Sequence, residues 1–324
     1  MKTIVHSLAA IALASFASQA LAQTGDYPNR TIKVVVPFSP GGAVDGPMRA
    51  IAETLGKRLK QQVIVENKPG AGATIGSESV AKSPADGYTL LLASQTNAIS
   101  ATLYTGRLSF NPIDDFEPIM LIGREPGVLV VNPTAPYKSV ADLVADAKAN
   151  PGKINYASSG NGSGQHLFAA MFASMAGINL VHVPYKGSGQ ATNDLIAGVV
   201  PMAIPGSQAM VKHIEGGKLR ALATTGDTRA KVLPDVPTLA ESGLKGYSAY
   251  VWMGLLAPKG TPKPIVDLLN REMKATLATP EVQGFMQRAG IEVVGGTPAE
   301  FNAYFREERD RWARVIKDIG AKVD

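Results

Sequence analysis

A chain of 324 residues, 45% of them hydrophobic, is long enough to bury a sizeable core, and at roughly 150 residues per domain it predicts two domains. Its formal charge is +5, yet Lys and Arg are scattered without a basic run, and neither an aromatic-rich RNA-binding signature nor zinc-finger spacing occurs, so nucleic acid is excluded as a partner. The absence of cysteine excludes a disulfide framework, a thiol nucleophile and a lipid-modified cysteine.

At the N-terminus, Lys2 precedes the apolar stretch IVHSLAAIALASF (4–16), and Ala20, Leu21 and Ala22 form a small-residue cleavage pattern before Gln23. Residues 1–22 read as a secretory signal peptide. The stretch is too short to span a membrane, and no later segment has the roughly 18 uninterrupted apolar residues that a spanning helix needs. A freely diffusing periplasmic protein is expected.

TIKVVV (31–36) is a continuous apolar run of the kind found in strands buried on both faces, and Met48, Ile51, Ala52, Leu55 and Leu59 then follow at helical spacing. Between them lies VPFSPGGAVDG (36–46), a candidate ligand loop containing Phe38, Ser39, Gly41, Gly42 and Asp45. Asp45, with Pro47 close behind, reads as a helix cap, and the two glycines let backbone N–H groups converge on an anion beside the positive end of the helix. A plain glycine-rich turn has the same composition; the spacing fits neither a P-loop nor a dinucleotide fingerprint.

The alternation recurs through VIVE (63–66), YTLLLA (88–93), INYAS (154–158), LVHV (180–183) and LRALAT (219–224), which predicts an α/β architecture. PIMLIG (118–123) and VWMGLLA (251–257) flank the middle third of the chain as two crossings of a hinge, and residues 299–319 predict a last long helix that packs back on the first domain. Three further polar loops follow predicted strands, where α/β sheets tend to bind ligands. Ser94, Thr96 and Asn97 lie in SQTN; Ser158, Ser159, Gly162, Ser163 and His166 lie in YASSGNGSGQH; Tyr185 and Gly187 lie in VPYKGSG. Hydroxyls and amides in such loops supply neutral donors suited to holding a carboxylate reversibly.

After the signal segment only His166, His182 and His213 remain, with no HxxxH or HExxH pattern, so neither a metal nor another cofactor is expected. Ser158, His166 and Asp194 can be imagined as a hydrolytic triad, but no G-x-S-x-G elbow is present.

VPFSPGGAVDG, VENKPGAGATIGSESVAKSPADGYTLLLAS, INYASSGNGSGQHL, VHVPYKGSG, LRALATT, LPDVPTLAESG and GLLAPKGTPKPIVDLLN occur in order along nearly the whole mature chain. As a set they resemble the extracytoplasmic solute receptors of tripartite tricarboxylate transporters, the Bug or TctC family. The resemblance implies a two-domain α/β periplasmic binding protein of type II, with domain 1 over 26–123 plus 250–324, domain 2 over 124–249, and a ligand cleft between them. It further implies that the loops at 38–45 and 158–166 grip ligand carboxylates, partly through ordered water. Where relatives commonly carry an aspartate or another polar residue after the strand matching 201–204, this sequence has Pro205, Gly206 and Ser207.

The expected function is therefore capture of a small mono- or dicarboxylate, aliphatic or aromatic, for membrane subunits of a tripartite tricarboxylate-type transporter, by a monomer without catalysis. A secreted cofactor-free hydrolase on the same scaffold and a sensory receptor are the alternatives. Asp45 is the one acid in these loops, so a ligand without an ammonium group is expected, with Phe38 and Tyr185 flanking its carbon skeleton.

Overall fold

The computed structural model describes residues 27–41 and 44–321; the signal-peptide assignment and Gly42 lie outside them. Two mixed sheets form the frame. The first contains β1 (Ile32–Val36), β2 (Val63–Asn67), β3 (Thr89–Ser94), β4 (Phe116–Pro126), β10 (Tyr250–Pro258) and β11 (Glu292–Gly295), in the order β11-β4-β10-β3-β1-β2. The second contains β5 (Val128–Val131), β6 (Ile154–Ser158), β7 (Leu180–Pro184), β8 (Met202–Ala203) and β9 (Arg220–Thr224), in the order β7-β6-β8-β5-β9. Strands β1, β2 and β3 run parallel, as do β6, β7 and β8, whereas β4, β10 and β11 and the β5 pairings are antiparallel.

The continuous apolar runs follow from burial on both faces. Along β1, Val34 and Val36 enter one core with Met48, Ile51 and Leu55 of α1 (Asp45–Leu59), while Val35 enters a second core on the opposite face. Along β5, Leu129 and Val131 join that second core, and Val128 and Val130 join a third with Leu195 and Met210. Alternation of apolar and polar residues is absent because no face is left to water.

The remaining helices are α2 (Thr74–Ala81), α3 (Gln95–Leu103), α4 (Val140–Ala149), α5 (Gly164–Ala176), α6 (Ser188–Ile196), α7 (Ser207–Glu215), α8 (Lys263–Leu277), α9 (Pro280–Arg288) and α10 (Pro298–Ile319). A capping box of Thr297 and Glu300 starts α10, and Gly320, in the left-handed region, stops it. Phe301, Phe305, Trp312, Val315 and Ile316 recur at helical spacing and are buried. Helix α10 packs on the first sheet through Trp252 and also reaches α5, where Trp312 stacks on Phe168 with centroids 5.7 Å apart. Buried Glu308 accepts both indole N–H groups on one oxygen, from Trp252 at 2.9 Å and Trp312 at 3.1 Å, and its other oxygen pairs with Arg311 at 2.7 Å.

The chain passes between the sheets directly from β4 to β5 through Gly127, and returns from β9 to β10. One hydroxyl ties the two passages: Thr225 Oγ1 accepts the Gly127 N–H and donates to the Ala249 carbonyl, each at 2.6 Å.

Candidate functional site

The loops that follow β1, β3, β6, β7 and β8 carry the candidate residues, and each is held differently. After β1, Asp45 is the first residue of α1 rather than its cap; the cap position is Val44, and no side chain caps it. The buried Asp45 carboxylate turns back instead, accepting from Gly41 N and Arg49 Nε at 3.0 Å each and from Asn67 Nδ2 at 2.8 Å. Asn67 also donates to the Phe38 carbonyl. Burial alone would raise the Asp45 carboxyl, but the bonds from Arg49, Gly41 and Asn67 outweigh it and hold the group below the usual carboxylate range. Asp45 thus braces the loop, leaving Ser39 and Gly41 exposed, with Gly41 at φ 77°, and Phe38 half-buried against the core.

After β3, the sequence expectation needs correction. Ser94 and Asn97 are 2% and 1% exposed and form a capping box for α3; Asn97 also donates to Ser77 Oγ at 2.8 Å. Their polar atoms are engaged inside the fold, and Thr96 alone of the three expected residues is half-buried. Gln95, which spacing did not single out, is the residue of this loop that meets the second sheet's helices: its Nε2 lies against Gly164.

After β6, the two glycines at φ 126° (Gly160) and φ 73° (Gly162) adopt conformations that side-chain-bearing residues resist, and Ser163 Oγ caps α5 by accepting from His166 N. Gly162 N–H donates to His166 Nδ1 at 3.1 Å. Ser158 is fully buried; its Oγ is 2.6 Å from His182 Nε2, and it exchanges hydrogen bonds with the backbone of Gly160. It is therefore a brace under the loop, and Ser159 and Ser163 are the half-buried hydroxyls above it.

Parallel pairing of β6 with β7 sets Tyr156 opposite His182, and the rings of Tyr156, His182 and His166 form a stack, with the two imidazoles 4.0 Å apart and 5° from parallel. Burial pushes the His166 pKa down to about 4, and burial with the neighbouring His166 does the same to His182. Both rings are neutral at pH 7. The imagined triad is not assembled, since His182 rather than His166 meets Ser158 and Asp194 accepts from Tyr185 OH at 2.8 Å. Tyr185 N–H donates to the Ser158 carbonyl, so the third loop is fastened to the second, and Gly187 caps α6.

After β8, Ser207 is fully buried and its hydroxyl has no partner. An acid does stand beside this loop, although it comes from β4: Glu125 accepts the Gln208 N–H at 3.2 Å, and a Cβ added to Gly206 would lie 2.7 Å from Glu125 Oε1. Burial raises the Glu125 carboxyl to about 7. Asp45 is thus not the only acid near the candidate loops. The sequence signal was an Arg-Glu pair at the end of an apolar strand, which cannot show the loop that the acid will meet.

Among the described residues no group of side chains is arranged to hold a metal ion, and no helix is long and apolar enough to cross a membrane.

The sequence model described as "Tripartite tricarboxylate transporter family receptor" matches residues 48–321. Protein BugT of Bordetella pertussis is 39% identical over 314 residues, 97% of this chain and 96% of its own. The solved structure of periplasmic binding protein BugD is similar with a TM-score of 0.80 at 37% identity, covering 91% of this chain and 99% of that one. An R. palustris protein solved with adipate gives a TM-score of 0.83 at 35% identity, covering 92% and 100%. The two mixed sheets, the paired crossings and this whole-length likeness lead to one assignment: the chain belongs to the tripartite tricarboxylate transporter receptor family, the Bug/TctC periplasmic solute-binding proteins, which are receptors and not enzymes.

Proposed function

We propose that this receptor captures a small dicarboxylate between its two sheets and delivers it to the membrane subunits of a tripartite tricarboxylate-type transporter, acting as a periplasmic monomer after cleavage near Gln23. The two bodies that close on the ligand correspond to 26–123 plus 250–324 and to 124–249, with the tied passages at Gly127 and Ala249 as the hinge. The observation that carries this reading is the approach of the α5 loop to α3: Gly162 and Gly164, belonging to the second sheet's side, meet Leu103 and Gln95 of the first. Donor groups on the two bodies then face one space, and a ligand held by both favours closure by its differential affinity for the closed form.

Carboxylate as the ligand class is supported by the donor-rich loops and by the adipate bound in the R. palustris relative. Ser39, Thr96, Ser159 and Ser163 supply the candidate hydroxyl donors, and Phe38 and Tyr185 flank the carbon chain. Calorimetry with succinate, glutarate, adipate, benzoate and glutamate tests the reading. Binding of at least one dicarboxylate, more tightly than glutamate, is expected; a protein that binds glutamate and none of the dicarboxylates overturns it.

A further inference from the structure

Gln95 is the first residue of α3 and is 7% exposed. Its Oε1 accepts the Trp252 backbone N–H at 3.3 Å, which fixes the carbonyl end of the amide on β10 and turns the Nε2 end away from it. That end meets the start of α5, where a Cβ added to Gly164 would lie 2.8 Å from Nε2. The Gln95 amide occupies the space that a side chain at 164 would take. Nε2 donates to no described residue and is not sealed from the outside, so a group beyond the chain can reach it.

Its surroundings are donors as well. The first N–H groups of a helix have no intrahelical acceptor, and in α5 Ser163 Oγ satisfies only that of His166. An unpartnered amide NH2 beside a helix N-terminus, open to a group from outside the chain, is an arrangement that an anionic oxygen completes. The acceptor must come from outside the chain.

We propose that Gln95 Nε2 donates to one ligand carboxylate, together with the N-terminus of α5, and that Gln95 selects an ionised carboxylate over a neutral amide at that end of the ligand. The inference rests on the dicarboxylate reading above and assigns it a specificity-determining residue. Because Gln95 and α5 belong to different bodies, an oxygen held between them engages both at once. The bonds of Ser94 and Asn97 within α3 fix the helix start that carries Gln95, so the side chains that looked like ligand groups in the sequence instead position the one that is.

Gln95→Glu is the discriminating substitution. It keeps an oxygen for the Trp252 N–H, replaces the NH2 donor by a second oxygen and sets a negative charge where a carboxylate would bind. Calorimetry at pH 8 compares succinate, glutarate and adipate with their monoamides. Wild-type protein is expected to prefer the dicarboxylate, and Gln95→Glu to lose about 100-fold in affinity for it while gaining preference for the monoamide, with an unliganded melting temperature at or above wild type. Gln95→Met, which removes both polar ends, is expected to lose about tenfold without any such inversion, and it decides the matter if Gln95→Glu shows no cooperative melt. Dicarboxylate binding by wild type that both variants match within about threefold overturns the role of Gln95 and leaves the ligand class standing. Failure of wild type to bind any of the three dicarboxylates overturns both together.

Discussion

His166→Phe keeps a flat ring against His182 and removes the Nδ1 acceptor of the Gly162 N–H. At pH 7.5 the variant leaves a buried amide unsatisfied, an expected cost of about 1–2 kcal/mol. Acid changes the balance. The native pKa of His166 lies near 4 against an ordinary 6.5, so between these values the unfolded chain takes up a proton that the native ring refuses, and wild-type stability falls as pH falls through that window. At pH 4.5 the difference amounts to roughly 2.5 kcal/mol for a fully sheltered ring, and to roughly 2 kcal/mol once partial solvation is allowed for. Protonation would also set Nδ1–H against the Gly162 N–H, donor against donor. The deficit of His166→Phe relative to wild type is therefore expected to shrink from about 1–2 kcal/mol at pH 7.5 to zero, or to invert, at pH 4.5. Comparing the two proteins cancels Glu125 and Glu308, whose carboxyls are raised by burial and act in the opposite direction. Urea denaturation followed by the fluorescence of Trp252 and Trp312, both buried, provides the assay. A deficit of equal size at both pH values would refute the reasoning, because it would mean that the ring does not titrate between the native and unfolded states as its burial requires.

Three further expectations concern other parts of the molecule. Gly162→Ala combines a left-handed φ of 73° with a contact on Leu103 and should cost about 1–3 kcal/mol in urea melts while weakening dicarboxylate binding; unchanged binding would detach this glycine from the site. Glu308→Leu strands two indole N–H groups and should cost about 2–4 kcal/mol in thermal denaturation, with Glu308→Gln recovering part of the loss; equal losses for the two would contradict the clamp. Glu125 has a folded pKa raised to about 7, so the stability it contributes is full below its ordinary 4.5 and is lost as pH rises through 7. Glu125→Gln should therefore be near-neutral at pH 5 and stabilising by about 1–3 kcal/mol at pH 9, and a denaturation series in which the sign is reversed would place the charged carboxylate as the favoured native form.

Much of the frame was legible because burial on both faces writes itself as unbroken apolar runs: TIKVVV, YTLLLA and INYAS all became central strands within a residue or two of their expected ends. Strand β5 was not predicted: the expected strand stops at Gly123, three residues before β4 ends, and only Gly127 separates β4 from β5; β8 is two residues long, too short for any periodicity. The glycine and serine loops after β1 and β6 were found in the same way, through turn chemistry. The assignments within them were less secure, because a local pattern cannot say which partner will claim a side chain. Asp45 has the spacing of a helix cap, but Asn67, from a neighbouring strand, and Gly41 claim its oxygens. Ser94 and Asn97 look like ligand groups until Ser77 and the α3 backbone are in place. His182, paired in register with Tyr156, meets Ser158 diagonally across two parallel strands and 24 positions of sequence, and Glu125 reaches the α7 loop from the other sheet. These are long-range pairings, and one-dimensional spacing carries no information about them.

The hydroxyl of Thr225 has a mechanical consequence. Two separate polypeptide spans between rigid bodies would allow independent flexing, and hence sliding and shearing as well as rotation. Fastened at one oxygen to both the Gly127 amide and the Ala249 carbonyl, the spans instead act as one ribbon whose softest deformation is a twist about its own length. For the closure proposed above, this tie favours rotation about the crossings over sliding of one body along the other. In the receptor proposed above, a longer or shorter acid would be met by stopping at a different point on the same arc, so that differences in ligand length become differences in angle.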